Sequence, residues 1–380
     1  MWQKALENAI AKTRRNIERF GDQFPHVSKE DKYLLNPNTD WTNGFWSGIL
    51  WLCYEYSGDE IFRNAARKTV DSFRNRLDHH INLDHHDIGF LYSLSSKAQW
   101  MIERDPKAKE LTLAAADVFM KRWRPEMEIL QAWGPEGNEQ NGGRIIIDCL
   151  LNLPLLYWAY EVTGNQQYLE AAISQADKTR RFIVRGDDSS YHTFYFNQTT
   201  GEAIRGGTHQ GYEDGSTWTR GQAWGIYGFV LSYYYTKNPL YLETSVRMAK
   251  YFIERLPKDH VVYWDFDAPV TPDTKRDSSA SAITVCGLHE LLKYLPENHP
   301  EKAFLQEGME KSMHGLVKSY STISEPDAQG LIKRGSYSVR SGNSPDDFVI
   351  WGDYYYLEAL MRLDNGHKGY WYDRPQGMSE

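Results

Sequence analysis

One carboxylate, Asp148, lies within NGGRIIIDCLLNLPLLYWAY (141–160), a stretch that is otherwise apolar around it. A carboxylate in such surroundings either recruits partners or neutralises by a raised pKa, and groups pushed that way are candidates for acid and base work. If the stretch is one helix, Arg144 and Asn152 lie four residues either side of Asp148 on the same face. An internal ion pair is therefore the competing account of Asp148. A second carboxylate, Asp87, follows His85-His86 and precedes IGFLYSLS. Its bland role is a helix N-cap, and a helix N-terminus favours the anion. The expectation is an ionised Asp87 and an Asp148 that leans toward the protonated form, an arrangement suited to divided acid and base roles.

Around these two stand other residues with chemical reach. The LDHH and HHD strings resemble metal ligands, but neighbouring histidines on one strand or loop point apart, and no HExxH or Cys-x-x-Cys partner exists. Neither a metal nor another cofactor is expected. His192 and His209 fall in polar loops. Trp41, Trp133, Trp218 and Trp224 suit either the apolar faces of sugars or a core. Arg220, in TWTRGQAW, is the best candidate for gripping an anion, with bridging between loops as the alternative. A Gly-rich phosphate loop between strand and helix is absent, as is G-x-S-x-G, which argues against nucleotide binding and serine hydrolysis.

The elements that must position these residues follow from a repeat. Apolar, aromatic-rich segments alternate with amphipathic, charged ones about six times across the 380 residues. Gly44 to Tyr56 ends at SGDEIFRNAA, Ile145 to Val162 at TGNQQYLEAA, and Gly221 to Tyr235 at TKNPLYLETS, with similar pairs near Asp87 and Asp277. The last segment, Asp347 to Leu363, lacks a follower, and the N-terminal helix can supply it. A helix apolar all round is inner and one with a charged face is outer. Six such hairpins predict an all-α fold, an (α/α)6 barrel of six inner and six outer helices forming a single catalytic domain over 1–380. Inner helices then open their N-terminal ends at one mouth, where Trp41-Thr42, His85-His86-Asp87, Arg144 to Asp148, Thr219-Arg220 and Asp277-Ser278 converge. The long loops 131–143 and 186–218 feed the same mouth.

A net charge of -8 with no basic stripe argues against nucleic acid and anionic membrane as partners. The N-terminus reads as an amphipathic helix and no run is long enough to span a bilayer, so a cytoplasmic protein is expected. Cys53, Cys149 and Cys286 read as small core residues, and the Asn197 sequon as accidental.

The segments NTDWTNGFWSGILWLCYEY, NLDHHDIGFLYSLSSKAQW, NGGRIIIDCLLNLPLL, RGDDSSYHTFYF, IRGGTHQG, DGSTWTRGQAWGIYGF, RDSSASAI and SPDDFVIWGDYYYLEALMRL give the chain a nearly end-to-end resemblance to the unsaturated glucuronyl hydrolases of glycoside hydrolase family 88. The resemblance implies an (α/α)6 barrel acting on unsaturated oligosaccharides released by polysaccharide lyases; a monomer or weak homo-oligomer is expected. Carried over by position, it implies Asp148 as general acid and base and Asp87 as a second essential carboxylate. Trp41, His86, Trp133, His192, Gln210, Trp218, Arg220 and Trp224 fall on positions associated with the substrate. The implied reaction is hydration of a C4=C5 vinyl ether, not displacement at the anomeric carbon. Near the last inner helix, SYSVRSGNS places Ser338, Ser341 and Asn343 where relatives that favour sulfated fragments carry Ser-x-x-Ser-x-Lys, with Arg340 beside them. Unsulfated substrates are therefore expected to be preferred. The unsaturated rhamnogalacturonyl hydrolases share fold and reaction. An epimerase using His192 and His209, and a silent sugar-binding barrel, are readings from other classes.

Overall fold

The joints between helices show how the chain reverses every dozen or so residues. Helix Asn43–Ser57 ends on Gly58 in the left-handed region, and Asp59 then caps helix Glu60–Asp78 by accepting from the Ile61 amide. Gly164 and Asn165 repeat the device between Pro154–Thr163 and Gln166–Lys178. Lys237 and Asn238 repeat it between Thr219–Thr236 and Pro239–Glu254, as do Arg104 and Asp105 before Pro106–Met120. A left-handed residue satisfies the last carbonyls of one helix and the Asx side chain an early amide of the next, so the reversal needs only two residues.

The computed structural model describes residues 1–373; the tail of the expected 1–380 domain, 374–380, lies outside the described residues. Six inner helices form a closed ring. They are Asn43–Ser57, then Ile88–Glu103 with a π-helical turn at Ser93–Lys97, Cys149–Thr163 broken at Leu153, Thr219–Thr236, Ser278–Leu292 and Ile350–Asn365, each packed on the next and the last on the first. Trp2–Phe20, Glu60–Asp78, Pro106–Met120, Gln166–Lys178, Pro239–Glu254 and Lys302–Gly315 surround them. The division follows from sequence: Asn43–Ser57 is buried without interruption from Asn43 to Cys53, whereas Glu60–Asp78 buries a stripe of Phe62, Ala66, Thr69, Val70, Phe73 and Arg76. Trp2–Phe20 packs against Ile350–Asn365 and supplies its missing outer partner. The expected barrel is the observed one. Among the described residues no helix is long and apolar enough to cross a membrane.

Among the described residues three small antiparallel sheets decorate the ring, pairing Phe24–Lys29 with Lys32–Asn36, Trp123–Arg124 with Ile129–Leu130, and Thr193–Phe196 with both Arg144–Ile146 and Ala203–Gly207. The third corrects the expectation of one helix through 141–160. Ile145 and Ile146 are β-branched and lie in a strand, helix begins only at Cys149, and Pro154 restarts it after Leu153.

A candidate active site at the mouth of the barrel

Asp148 and Asp87 occupy equivalent places, each the residue before an inner helix, and neither side chain caps its helix. The helix N-terminus therefore does not distinguish them, contrary to expectation. What distinguishes them is the surroundings. The fully buried His86 puts Nε2 3.1 Å from Asp148 Oδ1 and 3.5 Å from Asp87 Oδ1, while His85 Nδ1 stands 3.2 Å from Asp87 Oδ2. Burial raises the Asp148 pKa, and the like charge of Asp87 adds to it, against the opposing pull of His86 and Arg220. Burial also opposes the Asp87 anion, but His86 and His85 outweigh it and lower its pKa. Burial opposes the His86 cation too, and the two carboxylates overcome it and raise its pKa. The pKa shifts run in the expected directions, burial raising Asp148 and the two histidines lowering Asp87.

Asp148 is not sealed in an apolar core. Its side chain keeps 16% of its surface exposed while Oδ1 is enclosed, so one face meets His86 and the rest meets the mouth. Arg144 is not its partner: the strand turns that guanidinium to Tyr195 Oη at 2.5 Å and over the Trp133 ring. Asn152 does remain at helical spacing, but it donates to the Asp148 backbone carbonyl, not to the carboxylate. The donor atoms of His86, Asp87 and Asp148 lie within 4.8 Å of one another, a spacing a cation could also use. The neighbouring histidines do not point apart as expected: both rings approach the Asp87 carboxylate, and His85 Nε2 is turned to the Asn82 carbonyl.

The third sheet brings His192 to this cluster. Its central strand begins at Thr193, and the His192 carbonyl accepts from the amide of Ile147, next to Asp148. His192 Nδ1 accepts from the amides of His209 and Gln210 at 2.9 and 3.1 Å, which leaves the proton on Nε2. Burial, with His209 and Arg144 adding to it, lowers its pKa well below the usual range and keeps the ring neutral. His209 sits edge-on to Trp133.

Arg220 differs most from expectation. It is buried, pairs with Asp277 at 2.5 Å, and donates to the Ser336 and Tyr337 carbonyls and to Gln210 Oε1. Its guanidinium is committed to protein acceptors between the Trp218 and Trp351 rings, so the bridging alternative describes it. Gln210, its oxygen turned to Arg220, keeps its amide donors for another partner. Trp218 and Trp224 are buried, while Trp41 and Trp133 stay partly exposed, with Trp41 Nε1 3.4 Å from Tyr337 Oη.

The segment 336–344 is a hairpin. Ser338 and Asn343 pair across its neck, Ser338 Oγ accepts from the Ser341 amide, and Ser341, Arg340 and Asn343 are exposed. Arg340 reaches the Gly211 carbonyl at 3.3 Å, tying this hairpin to the loop that carries Gln210. Residues that sequence reasoning left without a role here include His85 and Tyr337; the first was legible in the HHD string, and nothing in sequence pairs the second with Trp41.

The Glycosyl Hydrolase Family 88 model matches residues 16–370. An unsaturated glucuronyl hydrolase of Bacillus sp. (strain GL1) is 61% identical over 375 residues, covering 98% of this chain and 100% of that protein. The crystal structure of an unsaturated glucuronyl hydrolase from Bacillus sp. GL1 matches with a TM-score of 0.97 at 61% identity over 99% of this chain and 100% of that one. An Asp-to-Asn variant of the Streptococcus agalactiae unsaturated glucuronyl hydrolase, complexed with dGlcA-GalNAc6S, matches with a TM-score of 0.87 at 43% identity over 97% and 93% of the two chains. The agreement spans the ring and every mouth segment described above, and the chain belongs to Glycosyl Hydrolase Family 88.

Proposed function

We propose that this protein is an unsaturated glucuronyl hydrolase that removes the non-reducing-end 4,5-unsaturated glucuronic acid from oligosaccharides by hydrating the C4=C5 bond. The observation that carries the reading is the Asp148–His86–Asp87 cluster, in which one carboxyl is pushed toward the acid form and its neighbour toward the anion around a shared imidazole. The protonated Asp148 gives its proton to C4 of the vinyl ether. Positive charge develops at C5 and the ring oxygen, and the ionised Asp87 stabilises it. Asp148, now a carboxylate, takes a proton from the water that adds at C5 and is restored. The C5 hemiketal opens, the glycosidic oxygen at C1 leaves as the aglycone hydroxyl, and the uronic acid is released as its open keto form. The separation rule for two carboxylates in displacement enzymes does not govern this route.

His192 Nε2–H and the Gln210 amide offer neutral donors to sugar oxygens, and Trp41 and Trp133 offer ring faces at the mouth. The exposed Arg340 is the cation nearest Ser338 and Ser341 in the hairpin, and Asn343 replaces a cation with an amide. Unsulfated disaccharides are the better substrates in this reading. The test is the ultraviolet absorbance of a 4,5-unsaturated uronyl disaccharide, which the protein bleaches. Asp148→Asn lowers kcat by about 10³-fold or more, the range expected for loss of a general acid and base. A folded Asp148→Asn protein with near-normal turnover would remove Asp148 from the role.

A further inference from the structure

Asp87 and Asp148 come from different hairpins, and something must set the distance between their helix starts. The fully buried Asn152 stands between them. Its Oδ1 accepts from the Phe90 amide at 2.7 Å, and its Nδ2 donates to the Asp148 backbone carbonyl at 3.2 Å. The same amide also favours the Asp87 anion and helps to lower its pKa. One side chain thus fastens the first turn after Asp87 to the first turn after Asp148.

Gly89 makes the approach feasible. A Cβ on it would lie 2.4 Å from Asn152 Cα and 2.5 Å from the Asn152 carbonyl oxygen, closer than any real side chain tolerates. The two helices meet there at a spacing that only glycine permits, and the meeting point is the amide of Asn152.

Resting on the assignment of Asp148 and Asp87 above, we propose that Asn152 is a positioning residue that sets the spacing of the two carboxylates by tying the helix start after Asp87 to the one after Asp148. The charged and titratable groups that also act on Asp87 are His86, His85, Asp148, Arg76, Arg122 and Tyr337. None of them ties its backbone to both helix starts.

The experiment measures kcat, KM and the pH profile of kcat/KM on an unsaturated uronyl disaccharide, with circular dichroism on each variant. Asn152→Ala lowers kcat roughly 100-fold, the scale of an ångström-sized misplacement, while KM changes less than about threefold. Loss of the donor moves the acidic limb to higher pH, because Asp87 then ionises less readily. Asn152→Asp keeps the acceptor for the Phe90 amide but sets a carboxylate beside Asp87, so it moves the limb further; it also serves if the alanine variant does not fold. Gly89→Ala retains the Asn152 side chain but forces the helix starts apart, lowering kcat. An unmoved limb in folded Asn152→Ala or Asn152→Asp, with loss confined to thermal stability, overturns the proposal. If wild-type protein leaves the disaccharide untouched, the functional reading fails instead.

Discussion

Replacing His86 by Gln removes the positive charge that stands 3.1 Å from Asp148 and 3.5 Å from Asp87, and the proposed chemistry fixes the consequence. His86 favours both anions, so without it both carboxyl pKa values rise. Activity needs ionised Asp87, whose titration forms the acidic limb, and protonated Asp148, whose titration forms the basic limb. Both limbs of kcat/KM therefore move to higher pH in His86→Gln, whereas a histidine that only contacts the sugar would lower activity without moving either. His192 responds differently. Its ring is already neutral through burial, so His192→Gln lowers kcat/KM with no change in limb position, checked in the same titration.

At the scale of elements, the two-residue joints are local devices and behave independently of the mouth. Asn165→Ala and Asn238→Ala each remove an Asx acceptor from the start of an outer helix and lower stability by about 1 kcal/mol in denaturant titrations, with kcat/KM unchanged. The hairpin at 336–344 is the element that decides sulfate tolerance in the proposed reading. Asn343 is exposed across its neck from Ser338, so Asn343→Lys adds a cation beside two hydroxyl-bearing residues without disturbing packing. Charge-assisted hydrogen bonds are about twice as strong as neutral ones, and the variant shifts the kcat/KM ratio of matched sulfated and unsulfated chondroitin disaccharides toward the sulfated member. A strong preference of the unmodified protein for sulfate would contradict this assignment.

Across the whole molecule, the end of the barrel opposite the mouth is filled by the segment that follows the last inner helix. Trp371 is fully buried, donates to Glu358 Oε2 at 3.0 Å, lies parallel to Tyr355 and meets Phe90 edge-on. Lys97 and Tyr235 hold the same segment by donating to the Tyr370 and Trp371 carbonyls. Glu358, Arg362, Glu290 and Tyr227 form the buried polar layer above it. Trp371→Ala therefore costs about 3–5 kcal/mol, read as a lower midpoint in denaturant, by opening a cavity and removing the indole donor to Glu358 Oε2. Phe90 also touches Trp41 and Trp224, so the loss extends to the mouth and lowers kcat as well.

The alternation of all-round apolar and amphipathic segments, with Gly, Asn and Asp at the joints, determined the ring by itself, because burial on every face and a turn of two residues are properties of a local stretch. The same pattern put Asp87, Asp148, Trp218 and Asp277 at one mouth. It could not decide that 144–146 is a strand. That depends on Thr193–Phe196, some fifty residues away, pairing with it, and an apolar run of this length suits strand or helix equally. The strand takes Arg144 away from Asp148 and leaves His86, from another hairpin, as the imidazole between the two carboxylates. Arg220 looked like a waiting cation for a similar reason: the carbonyls of Ser336 and Tyr337 and the carboxylate of Asp277 that occupy it lie far off in sequence. Charge pairing inside a low-dielectric mouth is set by distances between separate hairpins, and only the closed ring establishes those distances.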